Sequence, residues 1–279
     1  MGIEVRRLAG ALAARMSGVD FKGGLKPGDL SAIAQALAEH QVLVIDAADM
    51  APGQQVEIAR AFGEPEHHVF FPNLGPGLEH VTVLDSAAGT KANSWHIDEV
   101  FLPDPPAITT LHAQILPAFG GDTAFISMGA AYDALSPRMQ AYLEGLTAVF
   151  DYARIAELSW ALGNAGAEKL ANFTGQMRWA EHPVVRIHPV TGRKSLYIEP
   201  TYLRHIGGLP VAEGQAVAAF LIAHAQRPEF GYRHVWGPGD FLLWDNRSVM
   251  HHAVNDYVEH RRMYRVSVMV RERAVEAAA

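Results

Sequence analysis

The sequence of 279 residues contains no cysteine. Disulfide bridges and thiolate metal sites are therefore excluded, and any metal must be bound by histidine, aspartate or glutamate. The sequence also has no apolar run long enough to span a bilayer. Residues 1–7 lack the apolar core of a signal peptide and the serine or threonine of a myristoylation site. These absences lead us to expect a cytoplasmic protein without a membrane partner.

Charged residues are also few, at 19% of the sequence, and the net charge is -7. The basic residues form no cluster except near the C-terminus, so we expect no nucleic-acid partner. Hydrophobic residues make up 49% of the sequence, which indicates a large core. Because β-rich barrels and sandwiches often fill this length with one domain, we expect a single domain over residues 1–279.

The pattern of apolar residues predicts many strands and few helices. Helical spacing predicts helices over residues 27–38, 52–62 and 211–225. Short apolar and β-branched runs predict strands over residues 41–45, 80–84, 107–113, 184–188, 195–198, 232–236, 241–244 and 263–270. We therefore expect a mainly β fold with flanking helices, a double-stranded β-helix or jelly roll. An alanine- and glycine-rich stretch around residues 153–180 predicts an insertion or lid over the site.

Two histidines and one aspartate suggest a metal site. His96 and Asp98 form an H-x-D motif, and His251 lies far downstream in a segment with strand character. Two imidazoles and one carboxylate on one face of a metal leave positions open for a cosubstrate and O₂, as in non-haem Fe(II) oxygenases. The motif also occurs by chance in surface His–Asp pairs. His252 is the alternative to His251, because adjacent strand residues point to opposite faces.

Four segments in order resemble the taurine dioxygenase / 2,4-dichlorophenoxyacetate dioxygenase family of Fe(II)/2-oxoglutarate oxygenases. They are Trp95–Asp98, Gly120–Thr123, His182–Leu196, and Trp244–Arg247 running into His251 and Arg265. Their order and spacing fit from about residue 20 to about residue 270. The resemblance implies a jelly roll in which His96, Asp98 and His251 bind Fe(II). It also implies hydroxylation of a small anionic or zwitterionic substrate, with C–heteroatom cleavage where the product permits it, and release of succinate and CO₂.

The resemblance further implies a binding site for the far carboxylate of 2-oxoglutarate. Thr123 matches the hydroxyl of that site, although a threonine here could also be an ordinary strand residue. An arginine of the C-terminal strand completes the site by bidentate pairing. Family members carry two arginines four positions apart, which Arg261 and Arg265 reproduce, whereas counting forward from His251 favours Arg262. We favour Arg261 and Arg265, with Arg265 facing a substrate anion, because loops change length more readily than strands.

The residues that match the family's substrate pocket are a histidine and three aromatic side chains. They are His68, Phe71, Tyr152 and Tyr202. His67 is an alternative to His68, and the two tyrosines could instead be core residues. Glu199 replaces the family's usual asparagine, and this extra carboxylate favours a substrate with both an acid and a cationic group. The alternative is that Glu199 points into solvent or pairs with Arg204.

Two other classes of protein could use the same residues. A hydrolase could bind zinc through the His-Asp-His set, with a nucleophilic water in the open position. That hydrolase would have no role for Thr123 or for the paired arginines. A non-catalytic jelly-roll binding protein would not need all three ligands. The sequence leaves open whether the protein is a monomer or a homo-oligomer.

Overall fold

The computed structural model describes residues 2–68, 71–88, 94–155 and 178–270. Strands are the main regular structure of these residues. In chain order they are β1 (Glu4–Arg7), β2 (Ala14–Ser17), β3 (Val42–Asp46), β4 (Glu64–Pro65), β5 (Thr82–Asp85), β6 (Ile108–Ile115), β7 (Thr123–Ser127), β8 (Thr147–Asp151), β9 (Trp179–Pro183), β10 (Val185–Ile187), β11 (Lys194–Leu196), β12 (Leu203–Gly207), β13 (Gly231–His234), β14 (Asp240–Asp245), β15 (Val249–Ala253) and β16 (Arg262–Met269). The α-helices are α1 (Pro27–His40), α2 (Pro52–Arg60), α3 (Met128–Asp133), α4 (Pro137–Leu143) and α5 (Val211–Ala225).

Two facing sheets form the centre of the molecule. The larger has the order β1-β2-β3-β14-β6-β16-β4, with β5 also paired to β16, and the smaller has the order β13-β7-β15. Val44 and Leu242 of the large sheet share one apolar cluster with Phe125 and Val249 of the small sheet. This packing of two antiparallel-rich sheets on one core confirms the predicted mainly β, jelly-roll architecture.

The two N-terminal helices cover the outer face of the large sheet. Strand residues alternate between faces, so Val42 and Val44 of β3 point to the small sheet while Leu43 and Ile45 point away from it. Leu43 and Ile45 pack with apolar residues of α1 and α2. The helix α1 starts at Pro27, and the carboxylate of a first-turn aspartate accepts the Lys26 N–H at 2.9 Å.

A third layer covers the outer face of the small sheet. It contains the three-stranded sheet β12-β8-β9 together with α3 and α5. Ile126 of β7 and Met250 of β15 point into this layer and pack with Phe150 and Leu221. The neighbours of Ile126 and Met250 in sequence therefore point the other way, toward the space between the two main sheets. His251 is one of these neighbours.

The insertion predicted around residues 153–180 falls mainly on residues 156–177, which lie outside the described residues. Its last positions, Trp179 and Ala180, belong to β9. In β9 exposed and buried residues alternate, with Ala180 and His182 buried, and this period of two is that of a half-buried strand. Among the described helices, none is long and apolar enough to cross a membrane.

Candidate metal centre and cosubstrate site

A backbone pairing brings the three predicted ligands together. His96 and His251 exchange two hydrogen bonds, from His96 N to His251 O at 2.9 Å and from His251 N to His96 O at 3.0 Å. Residues paired in this way have side chains on the same face, and the ring centroids of the two histidines are 4.2 Å apart. Asp98 is two residues from His96, so it points to that face as well. Its Oδ1 lies 3.5 Å from His96 Nε2 and 3.6 Å from His251 Nε2.

The Asp98 carboxylate is fixed by neighbouring polar groups. Thr109 Oγ1 donates to Asp98 Oδ2 at 2.7 Å, and Asp98 N donates to the Asn246 side chain at 2.9 Å. Asn246 also donates to Asp98 O at 3.0 Å. Burial opposes the charge of Asp98, but His251, Arg265 and His96 hold its pKa well below its usual range. Oδ1 of an ionised carboxylate is therefore directed at the two imidazoles.

Both imidazoles present Nε2 to this carboxylate. His96 Nδ1 donates to Ser94 O at 2.8 Å, which leaves Nε2 to face Asp98. The His251 ring packs against Trp244, with centroids 4.7 Å apart, and burial lowers its pKa to about 3. His252 points to the opposite face and contacts the Trp95 ring at 5.4 Å. The structure thus brings His251, and not His252, to the other two predicted ligands.

This donor set fits Fe(II). One ligand atom from each of His96, Asp98 and His251 lies within 4.8 Å of the others, and Asp98 and His251 are buried. Two imidazoles and one carboxylate, with no thiolate, form the set that non-haem Fe(II) oxygenases use. The hydrogen bonds from His96 Nδ1 to Ser94 O and from Thr109 Oγ1 to Asp98 Oδ2 orient these ligands without a metal, as partners of metal ligands commonly do.

A second polar site contains Thr123, at the start of β7, and Arg261. Trp236 Nε1 donates to Thr123 Oγ1 at 3.0 Å, and the Arg261 Cζ lies 5.8 Å from the centre of the same Trp236 ring. Arg261 is only 9% exposed, and its Nε and Nη2 have no hydrogen-bond partner among the described residues. Because Thr123 Oγ1 already accepts a hydrogen bond, its own proton is available to an acceptor. A carboxylate would satisfy both groups.

Glycine makes room for Arg261 in this site. Gly121 has a φ of +71°, and a Cβ at that position would lie 3.1 Å from Arg261 Cδ. Burial lowers the pKa of the Arg261 guanidinium, but an arginine stays charged at neutral pH. A buried cation that has no ion pair with an acidic residue in the described part of the chain fits the far carboxylate of 2-oxoglutarate.

The alternative arginine, Arg262, lies elsewhere. Its Nε donates to Asp85 Oδ2 at 2.8 Å, and its side chain is 40% exposed. Asp85 also pairs with His260 at 2.8 Å. Because Arg262 is engaged in this outer ion pair, we do not assign it to the cosubstrate.

Arg265 faces the metal ligands. Its Nη1 lies 3.8 Å from Asp98 Oδ1, and its Nη2 lies 3.5 Å from Glu99 Oε1. Its Nε is buried and has no hydrogen-bond partner among the described residues. Arg265 therefore lies beside the metal ligands.

The other predicted pocket residues lie around this point. His68 Nε2 is 3.3 Å from Glu99 Oε1, and the His68 ring contacts Phe71 at 4.8 Å, whereas His67 faces His80. Tyr152 and Tyr202 are stacked with centroids 6.4 Å apart, and each lies 4.9 Å from the Phe101 ring. Burial and the fields of Glu199, Tyr152 and Asp98 raise the pKa of Tyr202. The two tyrosines thus combine core packing with proximity to the site.

Glu199 has a different environment from the one predicted. It is fully buried, and its two oxygens accept the N–H groups of Thr201 at 2.6 Å and Tyr202 at 2.7 Å. Arg204 pairs with Asp151 at 2.8 Å. Burial raises the pKa of Glu199 to about 7. Solvent exposure, one of the alternatives considered for Glu199, is therefore wrong, and its hydrogen bonds hold the turn that carries Tyr202.

Sequence reasoning missed two carboxylates, Glu99 and Glu66. Glu99 follows Asp98 directly, and in an extended segment its side chain would point away from the site. Its φ of +48° interrupts the alternation of side chains, so the carboxylate points toward the site instead. Burial and the nearby charge of Glu99 raise the pKa of Glu66 to about 7. The only sequence signal was the acidic residue after the H-x-D motif.

The raised pKa of Glu66 predicts a pH-dependent loss of stability. Below its ordinary pKa of 4.5 the group is protonated in both the folded and the unfolded protein, whereas the folded state resists ionisation until about pH 7. Stability should therefore fall as the pH rises from about 4.5 to about 7. We expect Glu66→Gln to remove this part of the fall, as measured by thermal unfolding of the metal-free protein at pH 5, 6, 7 and 8. Parallel pH curves for the parent and the variant would contradict the assignment.

Comparison with known proteins agrees with this geometry. Residues 4–267 match the model of the family described as "Taurine catabolism dioxygenase TauD, TfdA family". An α-ketoglutarate-dependent sulfate ester dioxygenase of Pseudomonas putida is 34% identical, over 94% of this chain and 88% of the relative. An α-ketoglutarate-dependent 2,4-dichlorophenoxyacetate dioxygenase of Cupriavidus pinatubonensis is also 34% identical, over 95% of this chain and 96% of the relative.

A solved structure shows the same fold. The crystal structure of AAD-2 in complex with Mn(II) and N-oxalylglycine superposes with a TM-score of 0.82 at 30% identity, covering 99% of this chain and 100% of that one. The relatives named as α-ketoglutarate-dependent dioxygenases support the oxygenase prediction over the zinc hydrolase and the non-catalytic binding protein. The chain belongs to the TauD, TfdA family and is an oxidoreductase that depends on Fe(II) and 2-oxoglutarate.

Proposed function

We propose that the enzyme hydroxylates a C–H bond in a small organic molecule that carries an acidic group, and that Arg265 binds this group. The supporting observation is the position of the Arg265 guanidinium, 3.8 Å from the ligand Asp98, with a buried Nε that has no hydrogen-bond partner among the described residues. The two relatives are named for a sulfate ester and for 2,4-dichlorophenoxyacetate, and both of these are anions.

Each part of the site has a separate task in this proposal. Fe(II), when bound with 2-oxoglutarate and O₂, supplies the oxidation chemistry, and succinate and CO₂ are the coproducts. His96, Asp98 and His251 would hold one face of the metal. Thr123 and Arg261 would fix the far carboxylate of 2-oxoglutarate.

The aromatic residues would form the apolar side of the substrate pocket. The packed rings of Phe101, Tyr152 and Tyr202 offer a surface that excludes water from the reacting carbon. His68 and Phe71 would border the same space. Where the hydroxylated carbon carries oxygen, nitrogen or sulfur, the product would break at that C–heteroatom bond.

A screen of matched compounds tests this proposal. Purified enzyme with Fe(II), 2-oxoglutarate and O₂ would be given alkyl sulfate esters, alkanesulfonates, aryloxyalkanoates and amino acids, each beside a neutral analogue of the same shape. We expect acidic compounds to stimulate succinate release and their neutral analogues to fail. Because truncating one partner of a buried charge pair typically costs about 2–5 kcal/mol, Arg265→Gln should weaken the response to acids by more than about tenfold. Equal stimulation by neutral analogues would contradict the proposed role of Arg265.

A further inference from the structure

Glu99 has an unusual backbone conformation beside the metal ligands. Among the described residues, Ala13, Gln41 and Glu99 are the non-glycine residues with positive φ, and Glu99 is the one in the site. Its φ of +48° is unfavourable for a residue with a Cβ. In an extended segment Glu99 would point away from the face that His96 and Asp98 share. The positive φ instead lets its carboxylate reach Arg265 and His68.

Groups of both charges surround Glu99, so this part of the site is not suited to anions alone. Arg265 Nη2 and His68 Nε2 face Glu99 Oε1 at 3.5 Å and 3.3 Å, while Asp98 and Glu66 are the nearby carboxylates. Arg265 therefore already lies between two carboxylates, Asp98 and Glu99. A substrate acid that reached Arg265 would also come close to the negative charge of Glu99. A second, cationic group on the substrate would remove this repulsion.

Two buried polar atoms beside the metal ligands, one acceptor and one donor, form no hydrogen bond among the described residues. Glu99 Oε1, a buried acceptor, lies 3.3 Å from His68 and 3.5 Å from Arg265 as an ion pair but forms no hydrogen bond, and Arg265 Nε, a buried donor, has no hydrogen-bond partner among the described residues. Buried polar atoms in folded proteins normally have hydrogen bonds, so such a pair beside the metal ligands indicates groups that a ligand could satisfy. An ammonium group offers three donors, and a carboxylate or sulfonate offers several acceptors.

We propose that Glu99 is a specificity-determining residue that binds the amine, or another cationic group, of a zwitterionic substrate whose acid is bound by Arg265. The inference rests on the proposed function and narrows its substrate class from acids in general to small molecules with both an acid and a cation. It also replaces the sequence-based assignment of this role to Glu199, whose oxygens are occupied by backbone N–H groups.

Pairs of compounds that differ only in the amine test the role of Glu99. One pair is 2-aminoethanesulfonate and 1-propanesulfonate, and another is 3-aminopropanoate and butanoate, in which a methyl group replaces the ammonium group. Binding would be measured without O₂ by calorimetry on protein loaded with Fe(II) and 2-oxoglutarate. We expect the parent to prefer the amino member of a pair by about tenfold or more, since charged hydrogen bonds are the strong ones. Glu99→Gln should reduce this preference to about twofold or less.

Two further variants control for folding and for net charge. Glu99→Asp keeps the charge on a shorter side chain and should retain part of the preference for the amino member. Glu64→Gln removes one negative charge from an exposed position of β4 and should leave the preference intact. An unchanged preference in Glu99→Gln, or preferential binding of the purely anionic members by the parent, would overturn the inference. If Arg265→Gln then loses binding of both members, the proposed function stands and only the role of Glu99 fails.

Discussion

Alanine at His96, Asp98 or His251 is expected to reduce succinate formation by more than about a hundredfold while the fold is retained. Each variant removes one of three ligand groups that lie within 4.8 Å of one another, and loss of even an indirect partner of a ligand typically costs about 10–100-fold in metal affinity or activity. Succinate release would be measured with saturating 2-oxoglutarate, and Fe(II) affinity by anaerobic calorimetry. Circular dichroism would check that each variant is folded.

His252→Ala is the matched control for the metal ligands. It removes an imidazole from the adjacent position of β15, but its ring packs against Trp95 on the opposite face. We expect its Fe(II) affinity and succinate formation to stay within a few-fold of the parent. If His252→Ala lost metal binding and His251→Ala kept it, the assignment of the third ligand would be wrong.

Alanine at Arg261 is expected to raise the 2-oxoglutarate concentration needed for half-maximal activity by well over tenfold. The guanidinium is 9% exposed with two nitrogen atoms lacking partners, and loss of one partner of a buried charge pair typically costs about 2–5 kcal/mol. Thr123→Ala removes one neutral donor and should give a smaller rise, since a single hydrogen bond contributes about 0.5–1.5 kcal/mol. Titration of succinate formation against 2-oxoglutarate measures both effects.

Arg262→Ala serves as the control for the cosubstrate site. Arg262 pairs with Asp85 and is 40% exposed, so its loss should leave the 2-oxoglutarate requirement unchanged. Arg265→Ala should affect the response to the primary substrate more than the response to 2-oxoglutarate, because Arg265 lies beside Asp98 and Glu99. Three equally mild effects on the 2-oxoglutarate requirement would contradict an arginine anchor in this strand.

The metal ligands could be predicted from sequence because strand periodicity and motif order both restrict them. His96 and Asp98 are two residues apart and share a face, and the alternation of β15 separates His251 from His252. The flanking helices could be predicted for a similar reason, since α1 and α2 show apolar residues at helical spacing and begin at prolines. Such local patterns can be predicted from sequence because each involves only residues a few positions apart in the chain.

The remaining parts of the site depend on irregular backbone that has no periodic signal. The register of β16 shifts between Arg262 and Met263, so a two-residue period alone could not assign the arginines on either side. Glu99 reaches the site through a left-handed backbone conformation, which a sequence rarely announces for glutamate. Glu199 was placed in the pocket by analogy with an asparagine, whereas burial and two backbone donors decide its environment.

A crystal structure of the protein with Mn(II) and N-oxalylglycine would test the central claim most directly, because this pair reports the metal and the cosubstrate sites together. The account predicts Mn(II) bound by His96 Nε2, Asp98 Oδ1 and His251 Nε2. It also predicts the far carboxylate of N-oxalylglycine against Thr123 Oγ1 and the Arg261 guanidinium. A metal bound through His252, or a far carboxylate paired with Arg262, would contradict it.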